Sequence, residues 1–130
     1  MKKIIIMLSI FAVMLSFAAI DLWYTSTYYA RALDYLMAAD ESIQANKEHL
    51  DNPETIRLCD EANEMWERGK RNLMMLVNHN VVRYVDEKFV GLLEQVRCNN
   101  KDDACVTVKV LISYIKDLRE ENYPLPRNII

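Results

Sequence analysis

The chain has 130 residues, enough for one small domain, and 52% of them are apolar. Two glycines and three prolines are too few for an all-β chain with many turns, and they favour long helices with few connections. Setting Lys2 and Lys3 aside leaves fourteen basic residues against nineteen acidic ones, a net charge of −5 that makes the domain a poor candidate for binding nucleic acid or an anionic lipid surface.

Lys2 and Lys3 precede an uncharged run from Ile4 to Ile20, broken only by Ser9 and Ser16. As a helix the run spans roughly 25 Å, slightly less than a bilayer core, and continuing it to Trp23 and Tyr24 closes the gap. Tyr28 and Tyr29 follow, so aromatic residues cluster where a membrane interface would lie. Residues 1–24 therefore read as a transmembrane anchor or uncleaved signal. The rival is a cleavable signal peptide with Ser16-Phe17-Ala18 as its small-x-small site, which would secrete the remainder after cleavage near Ala18. The length of the run and its aromatic flank favour the anchor. No cysteine lies near the end of the run, which argues against a lipoprotein. The two lysines hold the N-terminus in the cytoplasm, and residues 25–122 are then extracytoplasmic.

Tyr29, Leu33, Leu36, Asp40, Ile43, Lys47 and Leu50 recur at steps of three and four, which predicts a first helix running on to Asp51-Asn52-Pro53. A second helix is predicted from Glu54 to Val77, with Cys59, Ala62, Met65, Trp66, Leu73, Leu76 and Val77 on its apolar face and Gly69 placed there for close helix approach. Trp66, Leu73, Leu76 and His79 form the stripe around which the neighbouring segments would pack. Asn78-His79-Asn80 is the next break. Val82, Val85, Phe89, Leu92 and Val96 predict a third helix. The loop Asn99 to Asp103 follows, with Asp102 or Asp103 as N-cap. Val108, Leu111, Ile112, Ile115 and Leu118 predict a fourth helix, although Val106 to Val110 alternates like a strand. The absence of a second strand to pair with decides for helix. The expected fold is all-α: a transmembrane helix followed by an antiparallel bundle of three or four helices, then an extended tail over residues 123–130 set by Pro124 and Pro126.

The second half resembles domain of unknown function 4363, a family of small membrane-anchored bacterial proteins. The resemblance is carried by Trp66, Leu73, Leu76, Val77 and His79, by helices like Val82 to Val96 and Val108 to Leu118, and by the tail Arg127-Asn128-Ile129-Ile130. It covers Glu54 to Ile130 closely and the anchor loosely. Where family members tend to carry acidic residues just after the histidine, this chain has Asn80, Val81 and Val82. The resemblance implies a topology and a helical fold; the family carries no established activity.

Candidate chemistry is sparse. His79, near a helix break, has the residue type of a ligand or pH sensor, but without a second histidine or acidic partner at metal-ligand spacing it reads as a helix-end residue beside Trp66. His49 reads as solvated. Trp66 reads as core, with Met65, Met74 and Met75 as a methionine-rich patch around it. Asp60, Glu61, Glu64 and Glu67 read as a solvated face paired at i, i+4 with residues such as Arg68 and Arg71. Cys98 and Cys105 bracket the last loop and form a candidate disulfide outside the cytoplasm, while Cys59 reads as a small buried hydrophobe. No phosphate loop, nucleophile motif or paired-cysteine metal signature is present in the sequence. No catalytic residue, metal or cofactor is expected. The sequence points to a non-enzymatic interaction or structural module whose partner is another membrane or extracytoplasmic protein, or a second copy of itself. The alternative is a small-ligand or signal-sensing bundle, with Asp40, Lys47 and His79 as its convergent polar groups and a membrane partner to pass the signal on.

Overall fold

A computed structural model describes residues 1–75 and 77–121. Leu76 and the expected extended tail lie outside the described residues. Four helices and no strand are present among them: α1 (Lys2–Ala45), α2 (Pro53–Leu73), α3 (His79–Arg97) and α4 (Lys101–Glu121).

Helix α1 is one unbroken element of 44 residues, roughly 66 Å long. Residues 2–24 are exposed, and burial starts at Thr25. From there Thr25, Tyr28, Tyr29, Ala32, Leu33, Leu36, Ala39 and Ile43 are buried, a stripe roughly 140° wide at 100° per residue. That is wider than one neighbour needs, and α1 packs against both α2 and α4. Helix α3 closes the set by packing against α2 and α4, while α1 and α3 do not meet. Ser42 and Thr55 share a hydrogen bond of 2.7 Å, whereas Tyr28 meets Trp66, so α2 runs back along α1. Gln44 near Cys105 and Asp40 near Lys109 give α4 the same reversal.

The α1 stripe was expected to run as helix through Lys47 to Leu50, but the helix stops at Ala45. Asn46 ends it by donating from both its backbone N–H and its side-chain Nδ2 to the Ser42 carbonyl, at 3.0 and 2.9 Å. Leu50 is nonetheless fully buried, covering the end of the core from the connecting segment. Asn52 caps α2 by accepting from the Thr55 N–H at 2.9 Å, and Pro53 occupies the first turn, where no N–H is needed. Helix α2 ends at Leu73 rather than Val77. Asn78 caps α3 by accepting from the Asn80 N–H.

The α3–α4 turn is closed by Asn99 at φ 55°, one of the few non-glycine types that tolerate the left-handed region. The Asn99 N–H donates to Val96 and the Asn100 N–H to Gln95, at 3.1 and 2.8 Å, which satisfies the last carbonyls of α3. The Asn99 side chain also crosses to the first connection, accepting from the Leu50 N–H at 2.9 Å and donating to the Glu48 carbonyl at 3.3 Å. Helix α4 starts before Asp102, and Asn100 takes the capping role expected of the aspartates: its side chain accepts from the Asp103 N–H and donates to the Asp103 carboxylate. Asp102 and Asp103 instead sit in the first turn, where their charge suits the helix dipole. Val82, Val85, Phe89, Leu92 and Val96 on α3, and Val108, Leu111, Ile115 and Leu118 on α4, are all buried. The strand-like stretch Val106 to Val110 is helical.

Candidate functional site

A cluster of polar and aromatic groups surrounds Trp66, whose side chain is fully buried. Four rings run across three helices: Tyr29 and Tyr28 with centroids 5.6 Å apart, Tyr28 and Trp66 at 6.5 Å, and Trp66 stacked on Phe89 at 6.2 Å. The Tyr28 hydroxyl donates to the Trp66 backbone carbonyl at 2.8 Å. Its ring lies directly on the backbone of Gly69, where a β-carbon would strike it. Gly69 thus allows the close approach its position on the apolar face suggests.

Trp66 Nε1 donates to Asp86 Oδ1 at 2.6 Å. The other oxygen of Asp86 accepts from Lys70 Nζ at 3.1 Å, and Lys70 also bridges to Glu67 at 2.7 Å. Glu67 was expected to pair with Arg71; it pairs with Lys70 because Lys70 faces α3, where Asp86 holds it. Partial burial works against the Lys70 ammonium, but its hydrogen bonds to Glu67 and Asp86 outweigh that and raise its pKa. The Glu64–Arg68 pair forms as expected, at 3.3 Å, with both groups in solvent. Burial pushes the Tyr28 hydroxyl well above the usual tyrosine range, with smaller contributions from Tyr29 and nearby charges. Tyr29 is pushed up to about 12 by burial and by the charge of Glu121. The Cys59 thiol is pushed up to about 12 by burial, then by Asp60.

The expected stripe Trp66, Leu73, Leu76, His79 is not one helical face. Trp66 and Leu73 are buried on α2, but the helix ends there, and His79 is exposed as the first residue of α3. The break frees it from the α2 register, and the helix end is capped by Asn78 instead. Met65 packs partly against the core. Met74 and Met75 do not surround Trp66; they follow the end of α2 and are 39% and 88% exposed. Cys98 and Cys105 are both free, so the candidate bond between them is not formed. Cys98 is exposed at the C-cap of α3, while the Cys105 sulfur is turned towards α1 and accepts from Gln44 Nε2 at 3.7 Å.

Sequence reasoning missed Tyr28 and Asp86 as parts of the site. The buried tryptophan next to Gly69 on α2 could have pointed to a ring from another helix. Nothing in the local pattern around Asp86 singles it out.

Two clefts adjoin the cluster. One of about 80 Å³ lies between Asp21, Tyr24, Thr25, Gly69, Asn72 and Leu73, and one of about 200 Å³ lies between Trp23, Tyr24, Arg31 and Met65. Both fall below the roughly 300 Å³ at which ligand pockets begin, and a larger hollow of about 540 Å³ is lined by Phe17, Ala18, Ile20, Asp21 and Tyr24 of the exposed part of α1 alone. The three polar groups a ligand site would need do not converge. Asp40 pairs with Lys109 at 3.6 Å, Lys47 is exposed in the α1–α2 connection, and His79 stands at the opposite end of the helices. Among the described residues no group of His, Cys, Asp and Glu side chains is placed to hold a metal ion. The Trp66 cluster satisfies its own polar groups, and its geometry is that of a structural joint between α1, α2 and α3.

Comparison with family models, with characterised proteins and with solved structures gave no match.

Proposed function

We propose that this chain is a single-span membrane protein whose outer part is an antiparallel four-helix bundle acting as a non-enzymatic interaction or structural module. The observation that carries the reading is the continuity of α1. Among the described residues it is the one helix long and apolar enough to cross a bilayer, and the 18-residue window that qualifies it is entirely unburied. The same helix then supplies the buried stripe from Thr25 onward without a break. An element that is apolar all round and then apolar on one side fits lipid first and protein second.

Lys2 and Lys3 support a cytoplasmic N-terminus and an extracytoplasmic bundle. Cleavage near Ala18 would change location but leave the bundle whole, because burial starts seven residues later. Membership of domain of unknown function 4363 is proposed on the sequence pattern alone. The partner is another membrane or extracytoplasmic protein, or a second copy of the chain. The small clefts and the separation of Asp40, Lys47 and His79 count against the ligand-sensing alternative.

The test is chemical crosslinking in intact membranes, followed by alkaline extraction and mass spectrometry of the tagged chain. Full-length protein retained in the pellet and joined to one stoichiometric partner, or to itself, is the expected result. A soluble, N-terminally shortened monomer refutes the anchor, and a membrane-bound chain recovered alone refutes the interaction role.

A further inference from the structure

We infer that the tip of the bundle between α2 and α3, formed by Met74 and Met75, inserts into the outer interface of the same bilayer that α1 crosses. This rests on the anchor reading above and adds a second lipid contact to it.

Counting from Ile4, about twenty helical residues fill a hydrocarbon core, which puts Trp23 and Tyr24 at its outer boundary. Both are exposed, and Thr25, immediately after them, is already packed in the bundle. The bundle is therefore not held off the membrane by a linker. Helix α2 runs back towards that boundary, and Leu73 at its end shares a cleft with Asp21, Tyr24 and Thr25. The next two residues lie lower still, by roughly 3 Å. They are Met74 and Met75, and the second is 88% exposed. A flexible apolar side chain left bare in water at this height gains by entering the acyl boundary.

The surroundings agree. Arg71, exposed in the last turn of α2, puts a positive charge where lipid phosphates would lie, whereas Lys70 is held by Glu67 and Asp86. The acidic end of α4 is set back: Glu121 acts on Tyr29, five residues or roughly 7 Å further along α1 than Tyr24.

The experiment uses the full chain in vesicles of phosphatidylcholine and phosphatidylglycerol, with a photoreactive benzophenone amino acid replacing Phe17, Met75 or Val90 in turn. Phe17 lies in the anchor, and Val90 is exposed on the flank of α3. Lipid adducts at 17 and 75 but not at 90 are expected. Adducts at 17 without any at 75 overturn the inference and leave the anchor standing. No adduct at 17 overturns both readings. Adducts at all three positions overturn an insertion confined to the tip.

Discussion

Replacing Gly69 with alanine tests the joint between α1 and α2. In an ordinary helix interior the change stabilises by about 1 kcal/mol, because glycine has more conformational freedom to lose. Here the new β-carbon would occupy the space of the Tyr28 ring. That ring cannot swing aside freely: it is buried, flanked by Tyr29 and Trp66, and tied by its hydroxyl to the Trp66 carbonyl. Forcing a methyl group into such a contact costs about 1–3 kcal/mol. Losing the hydroxyl's hydrogen bond adds about 1 kcal/mol. The sum outweighs propensity, and Gly69→Ala is expected to destabilise the bundle by about 2 kcal/mol. With a urea dependence of about 1–3 kcal/mol per molar, the midpoint falls by about 1 M. The assay is urea unfolding of the full chain in detergent, followed by Trp66 fluorescence with Trp23→Phe removing the exposed indole. In a Tyr28→Leu background the obstacle shrinks, and the same substitution should become neutral or stabilising. A Gly69→Ala variant that is more stable than the parent in the presence of Tyr28 refutes the reasoning.

Asp86→Ala should leave Trp66 Nε1 and Lys70 without their partner and cost about 1–3 kcal/mol, while Asp86→Asn keeps an acceptor for the indole and costs less; the urea midpoint separates them. Asn99→Gly keeps the left-handed turn and loses only the link to Leu50 and Glu48, whereas Asn99→Ala loses both, so alanine should melt at the lower temperature. Equal melting would show that the turn carries no backbone constraint. Cys59 and Tyr29 both hold their protons more tightly folded than unfolded, and so does Tyr28. Their contribution is complete below the unfolded thiol value of 9.0 and is lost as pH climbs towards about 12. A urea midpoint that stays level across that window contradicts the burial of these groups. Without denaturant or reductant, Cys98 should alkylate quickly and Cys59 only on unfolding, as peptide mass mapping would show.

The helices and most of their buried faces were legible because spacing at three and four residues reports directly on burial. Phe89, Leu92 and Val96 needed nothing more. Helix ends were less legible where side-chain hydrogen bonds compete with the register. The apolar stripe continues through Leu50, yet Asn46 turns the chain seven residues before Pro53. His79 keeps the spacing of the α2 stripe, but a stripe has meaning only within one helix. The Trp66 cluster was half legible. Its tryptophan and glycine lie on one face of one segment, while Tyr28 and Asp86 come from elements 38 and 20 residues away. Which residues meet across helices depends on the packing angle, and periodicity carries no information about that.

The unbroken course of α1 also sets a phase. Because α1 packs against α2 and α4 along one stripe, those helices lie to one side of the line that its exposed N-terminal half continues. Helix α3, which α1 does not touch, lies farthest out. The arrangement is that of a crank, with the exposed N-terminal half of α1 as shaft and α3 as the offset arm. Adding one residue near Leu22 would turn that arm by about 100° and raise it by about 1.5 Å. Two chains joined side by side through their anchors would therefore present their α3 faces to each other or away from each other according to register alone.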